Sequence, residues 1–441
     1  MQGKRFRDVT GLVGGFFCAL FLIVSGGSTS LVGQAEELGL YAASAVLMDA
    51  DSGRVLYEKN GYAPMAMAST TKIMTCILVL EEGELEDMAQ VSSYAASMPK
   101  VKMFVRCGDE YQVRSLLFSM MLESHNDSAV VLAEYIGKQY LSPELAQKDT
   151  ADFTVEESKQ AVKAFANLMN EKARELGCEN TWFITPNGLD ATETFEVNGE
   201  SVTREHVTTA AELARIMAYC INESPCRDVF REITRTPGYS FCENGRNVNC
   251  VNHNTFLNMM DGAFSGKTGF TNKAGYCYVG ALEKDGRTFI VALLACGWPN
   301  NKTYKWSDSR ELMEYGLDNY QFREFLTAEN TYGEDALGSL VVEGGQTKIL
   351  GDTARVTLGI VGRDQENHIG LLMREDEQIE TQCRLPDKLK APVVAGTEVG
   401  SIIYRVDGNV YFVESVITKT GVEEIDLEWC TEEILKRFLI L

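Results

Sequence analysis

Apolar and polar positions alternate along this chain in two periods, and the changes of period mark out its elements. Ala42–Ala50 and Arg54–Lys59 read as strands joined at Asp51-Ser52-Gly53, a hairpin turn. A loop then leads into the apolar run Ile73–Leu80, which predicts a helix with Ser69 in its first turn. Val113–Leu122 and Asp127–Ile136 have helical spacing and bracket a tight turn at Ser124-His125-Asn126. Gly137–Glu157 is polar and acidic, a surface insertion, and Ser158–Leu176 is amphipathic, with Val162, Phe165, Leu168, Met169 and Ala173 on one side. Thr208–Asn222 predicts a further helix, Phe264–Gly269, Gly275–Leu282 and Thr288–Cys296 three antiparallel strands, and Tyr304–Phe325 a closing helix. Strands before and after a helical block give an α+β domain with a central antiparallel sheet flanked by helices, over residues 36–325. Beyond Leu326 come short alternating pieces, Ala354–Leu358, Gly400–Arg405 and Val410–Ile417, with turns at Glu343-Gly344-Gly345 and Asp407-Gly408. That texture predicts a small all-β sandwich over 326–426.

The two ends have characters of their own. Lys4, Arg5 and Arg7 precede the apolar stretch Leu12–Val24, too short for a typical membrane span, and small residues lead to Gly33-Gln34-Ala35. This is the layout of a secretory signal peptide over 1–35, with an uncleaved N-terminal anchor as the alternative; either way an exported, extracytoplasmic protein is expected at the outer face of the membrane or in the cell wall. At the other end, residues 427–441 could form an amphipathic helix: Ile434, Leu435, Phe438 and Leu439 share a face, with Lys436 and Arg437 beside it. Peripheral membrane contact and packing against the sandwich are both open to it.

Composition narrows the picture further. A chain of 441 residues, 45% hydrophobic, has room for two or three domains with a sizeable core. A net charge of −22 argues against a nucleic-acid partner, because phosphates would be repelled. Twelve cysteines, several inside apolar runs, follow no spacing of a disulfide framework or a zinc site. Free thiols in an exported chain would fit a reducing habitat.

The chemistry concentrates at Ala68-Ser69-Thr70-Thr71-Lys72. A serine and a lysine three residues apart share a helix face, and a desolvated lysine amine can take the proton that makes the hydroxyl a nucleophile. A helix N-terminus there would favour an oxyanion. Ser-x-x-Lys alone is common, but Ser124-His125-Asn126 and Lys267-Thr268-Gly269 follow it in order. Together they form the three-part signature of serine penicillin-binding enzymes. The words around them, Ser124-His125-Asn126-Asp127-Ser128-Ala129, Thr185-Pro186-Asn187-Gly188-Leu189-Asp190 and Lys267-Thr268-Gly269-Phe270-Thr271-Asn272-Lys273-Ala274-Gly275-Tyr276, extend the match. From Tyr41 to Asp426 the chain resembles the low-molecular-mass D-alanyl-D-alanine carboxypeptidases.

That resemblance implies a transpeptidase/β-lactamase-like fold and removal of the terminal D-alanine from peptidoglycan stem peptides, with β-lactams as covalent inhibitors. It implies Ser69 as nucleophile, Lys72 as base, Ser124 as proton relay and Asn126 as a partner of the substrate backbone. Lys267 and Thr268 would hold the terminal carboxylate, Gly269 would let the peptide lie close, and the N–H groups of Ser69 and Phe270 would form the oxyanion hole. No metal or organic cofactor is implied. His125 departs from the family, where glycine is common; an imidazole there could narrow the site or titrate near neutral pH, but a structural histidine pointing into solvent is expected. A class A β-lactamase would need a Glu-x-x-Leu-Asn motif that the chain lacks, and a P-loop would need glycine where Asp261 stands. A non-catalytic penicillin sensor or wall-binding protein on the same fold is the remaining alternative.

Overall fold

The computed structural model describes residues 38–197, 200–327, 333–349, 351–361 and 369–438. The expected signal segment and Leu439 lie outside them. Five strands make the central sheet: β1 (Ser44–Asp49), β2 (Val55–Lys59), β3 (Ala263–Thr271), β4 (Gly275–Lys284) and β5 (Arg287–Leu294). They are antiparallel in the order β3-β4-β5-β1-β2, with Leu47 opposite Val291 and Lys267 opposite Val279. β1 and β5 are buried on both faces, which is why they read as unbroken apolar runs rather than alternating ones. Even so, their side chains divide by the strand period of two. Val46, Met48, Ile290 and Ala292 enter one core, and Ala45, Leu47, Val291 and Leu293 the other.

The first core is packed by helices α1 (Lys72–Glu82), α2 (Val113–Leu122), α3 (Asn126–Gly137), α4 (Val155–Glu175) and α5 (Ala210–Ala218). A further helix, α6 (Arg227–Arg235), also contributes Phe230 and Ile233 to it. The second core is closed by α7 (Tyr304–Asn319) through Leu312 and Met313. α1 is buried from Lys72 to Leu80, so it is a core helix and not a surface one.

Several bounds differ from the sequence reading. Ser69 lies on a 3-10 turn, Ala68–Thr71, and the α-helix starts only at Lys72. α4 starts at Val155, because Thr154 and Glu157 form a capping box that ends the polar insertion early. α7 stops at Asn319, and Gln321–Glu324, expected as its last turn, is a strand paired with Gly370–Met373. Helix α6 and two hairpins, Thr192–Val197 with Glu200–Glu205 and Gly238–Glu243 with Arg246–Val251, were not expected. The strands of the first are largely exposed and mostly polar; those of the second are short but do alternate, with Tyr239, Phe241, Val248 and Cys250 turned inward.

The C-terminal part is mainly β, with a short helix at Glu334–Leu337 and a longer one at its end. Six strands lie in the order Ile379–Arg384, Glu398–Val406, Asn409–Thr418, Arg355–Ile360, Ser339–Glu343, Lys388–Lys390. Arg355–Ile360 joins two ladders, its first half pairing with Ser339–Val341 and its second with Val416–Thr418. Val356, Leu358, Ile402, Tyr404 and Val416 form the core between them. A buried ion pair ties this part to the central sheet: Arg54 Nη1 donates to Leu372 O (2.7 Å) and to Glu377 Oε2 (3.0 Å). Helix α8 (Leu427–Phe438) follows. All eleven cysteines among the described residues are free thiols, and six of them are buried like small hydrophobes.

Candidate active site

Three separate stretches meet where β3, the edge strand, passes the Ser69 turn. Lys72, the first residue of α1, is fully buried, with Nζ 2.9 Å from Ser69 Oγ. The same amine donates to Asn126 Oδ1 (2.9 Å) and to the backbone carbonyl of Asn187 (2.6 Å). Burial holds the Lys72 pKa well below the ordinary lysine range, the charge of Lys267 adds to this, and Asp127 opposes both. The consequence is specific. A neutral amine has two N–H donors and one lone pair. With Asn126 and Asn187 taking the donors, the lone pair is left facing Ser69 Oγ.

The opposite wall is Ser124 and Lys267. Lys267 Nζ donates to Ser124 Oγ (3.0 Å) and to Thr268 O (3.0 Å), and burial brings its pKa down to about 7. Ser124 itself adopts φ +65°, and Ala68, just before the nucleophile, φ +49°. Non-glycine residues there cost roughly 1–3 kcal/mol each and persist where the surroundings hold them. The surroundings of Ala68 are tight. A Cβ on Gly188 would stand 1.9 Å from the Ala68 carbonyl oxygen, and one on Gly269 would stand 2.9 Å from Ser69 N. Only glycine lets the Asn187 loop and the edge strand close on the nucleophile turn from two sides.

Thr268 is half-buried and Phe270 exposed beside Gly269, so all eight residues singled out in the sequence lie on the three stretches that meet here. Further residues that build it had drawn no role from the sequence. The Asn187 carbonyl is a backbone atom, for which no side-chain signal exists. Asp127 accepts the N–H groups of Met103, Phe104 and Val105 (2.8–3.2 Å) and so pins the 103–105 loop beside the Ser-x-Asn turn. His206 is buried: Nδ1 accepts from Ile184 N (2.9 Å), which leaves Nε2–H to face Thr71 Oγ1 (2.8 Å), and Thr71 Oγ1 donates to Ala68 O (2.9 Å). Burial lowers its pKa to about 3, with Lys72 adding to the effect, so it acts as a neutral strut under the Ser69 turn. A lone histidine before a helix gives no spacing by which to notice it.

His125 does not point into solvent as expected. It is half-buried, and its Nδ1 lies 2.8 Å from Ser119 Oγ, which in turn lies 2.8 Å from Ser128 Oγ. The imidazole turns back onto α2 and α3 through this chain of hydroxyls. Burial lowers its pKa.

Comparison with known proteins agrees with this geometry. The D-alanyl-D-alanine carboxypeptidase family matches residues 32–140 and 156–296, leaving out most of the acidic insertion, and the family described as penicillin-binding protein 5, C-terminal domain, matches 367–424. D-alanyl-D-alanine carboxypeptidase DacF of Bacillus subtilis (strain 168) is 26% identical over 396 residues, 89% of this chain and 88% of that one. DacB2 of Mycobacterium tuberculosis (strain ATCC 25618 / H37Rv) is 29% identical over 275 residues, 62% of this chain and 81% of that one. Penicillin binding protein 5 from Haemophilus influenzae shares the fold with a TM-score of 0.62 at 23% identity, over 88% of this chain and 100% of that one. A mutant of the Streptomyces K15 DD-transpeptidase matches with a TM-score of 0.51 at 26% identity, over 64% of this chain and 100% of that one. The family match alone spans more than half of the sequence, and the chain belongs to the D-alanyl-D-alanine carboxypeptidases.

Proposed function

We propose that this cleft removes the terminal D-alanine from peptidoglycan stem peptides through an acyl-enzyme on Ser69. The observation that carries the proposal is the Lys72 amine, buried, depressed in pKa and 2.9 Å from Ser69 Oγ with both of its donors engaged elsewhere. Lys72 takes the hydroxyl proton as Ser69 attacks the penultimate carbonyl. The N–H groups of Ser69 and Phe270 receive the oxyanion, and Asn126 binds the peptide backbone. Ser124 relays a proton to the leaving D-alanine while Lys267 and Thr268 hold its carboxylate. Water then hydrolyses the ester. Penicillins would be trapped at the ester stage.

Incubating the protein with a pentapeptide ending in D-Ala-D-Ala and weighing the product tests this: loss of one alanine is expected. An untouched peptide with Ser69 still labelled by penicillin would favour a sensor.

We further infer that the protein works outside the cytoplasm against the membrane surface. The charged, apolar and small-residue order of the first 35 residues supports export. Ile434, Leu435 and Phe438 of α8 are each at least half exposed, which favours a lipid-facing role over packing against the β part. No helix among the described residues is long and apolar enough to cross a membrane. Deleting 427–441 should release the protein from vesicles while leaving hydrolysis of a soluble peptide unchanged; continued binding would place the tether elsewhere.

A further inference from the structure

An aromatic strip leads away from the cleft along the end of β3 and β4. Phe270, next to the Lys-Thr-Gly motif, lies 4.7 Å from Tyr276. The Tyr276 amide donates to Gly297 O (2.9 Å), which brings the neighbouring Trp298 alongside. Trp298 packs its ring edge on Gly275 and donates Nε1–H to Asn272 O (2.9 Å). Beyond it, Tyr41 stacks on Tyr304 at 3.8 Å and 16°. The outer rings are left open: Phe270 is 38%, Trp298 44% and Tyr41 54% exposed. The rings are therefore braced from behind and presented outward.

The two stretches that supply the strip apart from Tyr41, 262–282 and 286–307, contain no Asp or Glu, but carboxylates reach its edge from elsewhere in the chain: Thr271 Oγ1 donates to Asp190 Oδ1 (3.1 Å) and Lys273 pairs with Glu205 (3.0 Å). Asn272, whose backbone carbonyl accepts the Trp298 Nε1–H, and Asn300, two residues beyond Trp298, are both exposed. Exposed aromatic faces edged by amides and paired charges suit a pyranose ring: its C–H face packs on the aromatic ring while its hydroxyl and acetamido groups meet the polar edge.

We propose that this strip binds the amino-sugar strand of the peptidoglycan polymer, holding the glycan while its stem peptide lies in the cleft. The inference deepens the functional reading above and rests on it for the identity of the polymer. Continuity with β3 favours a glycan over a lipid surface, because the strand that flanks the peptide runs directly into the strip.

The test separates the two readings. Ser69→Ala protein, which cannot turn over, is titrated by calorimetry with soluble glycan strands whose stem peptides an amidase has removed. Binding is expected, and Trp298→Ala combined with Tyr41→Ala should weaken it about tenfold, with Trp298→Phe retaining most of it. In protein with Ser69 intact, the same pair should slow hydrolysis of polymeric peptidoglycan by a similar factor and leave a free pentapeptide unaffected. Unchanged glycan binding in the double variant overturns the proposal. So does an equal loss on the free pentapeptide, which would make Trp298 a support for Phe270, and so does loss of binding to anionic vesicles with glycan binding absent throughout. If wild type cleaves neither substrate, the catalytic reading fails and the calorimetry still decides the strip. Tyr41→Ala alone serves if the Trp298 variants do not fold.

Discussion

The two walls of the cleft each bury one lysine, and the two amines are held differently. Lys72 reaches oxygens from three directions, Ser69, Asn126 and Asn187, all uncharged. Lys267 reaches Ser124 and the carbonyl of its own neighbour, Thr268. Burial depresses both, but Lys72 is also pushed down by the charge of Lys267. The difference teaches that burial alone does not assign a role. An amine whose donors are both taken by neutral oxygens is best used deprotonated, with its lone pair on the nucleophile. A buried amine whose pKa is brought down to about 7 regains its proton when a carboxylate arrives, because the new charge favours the ammonium.

The sharpest way to break this comparison is Lys72→Ala. Acylation of Ser69 by a labelled penicillin should fall by about 10³-fold or more, the scale of removing an essential base, with far-UV circular dichroism unchanged. Normal labelling would move the base to the other wall. Next in size, Lys267→Ala should cost about 10²-fold in kcat/KM on peptides with a free C-terminal carboxylate, while a C-terminally amidated peptide, already poor, should lose little more. Equal losses on acid and amide would mean that Lys267 does not hold the carboxylate.

The pH profile of kcat/KM sharpens the same contrast, since it reports the free enzyme. Lys72 must be neutral, so activity rises with pH through its depressed pKa. Lys267 must be charged, so activity falls as pH rises through about 7. Lys267→Arg, which stays protonated, should remove the alkaline limb and leave the acid limb in place. An alkaline limb that survives the arginine belongs to another group. The smallest effect should come from His206→Ala, which leaves Thr71 and Ile184 short of a partner. Thermal unfolding should show a loss of about 1–3 kcal/mol, with acylation slowed only a few-fold. A loss of acylation as large as that of Lys72→Ala would make His206 more than a strut.

Much of this was legible beforehand where the signal was local. Ser69 and Lys72 are three residues apart, so any helical turn brings them together, and the structure only replaces the α-turn by a 3-10 turn. The strands of the central sheet were readable because β1 and β5 bury every residue, and the start of α4 was misplaced by only three residues because the capping box is itself a sequence word. The hairpin at 192–205 has largely exposed, mostly polar strands with little period to see, whereas that at 238–251 does alternate, through Tyr239, Phe241, Val248 and Cys250, over strands too short to stand out. His125 was misdirected for a related reason. Whether an imidazole faces water or Ser119 depends on how α2 and α3 pack, and no neighbour in sequence records it.

The sequence by itself determined the reacting groups, because Ser-x-x-Lys, Ser-x-Asn and Lys-Thr-Gly are chemical words whose order survives without coordinates. Tertiary structure alone decided how those groups are tuned. The Asn187 carbonyl on Lys72, the His206 strut beneath Thr71 and the clamp of Asp127 on the 103–105 loop all join residues remote in sequence. A pKa depends on what water is excluded and which oxygens converge, and those are properties of packed elements rather than of any stretch of chain.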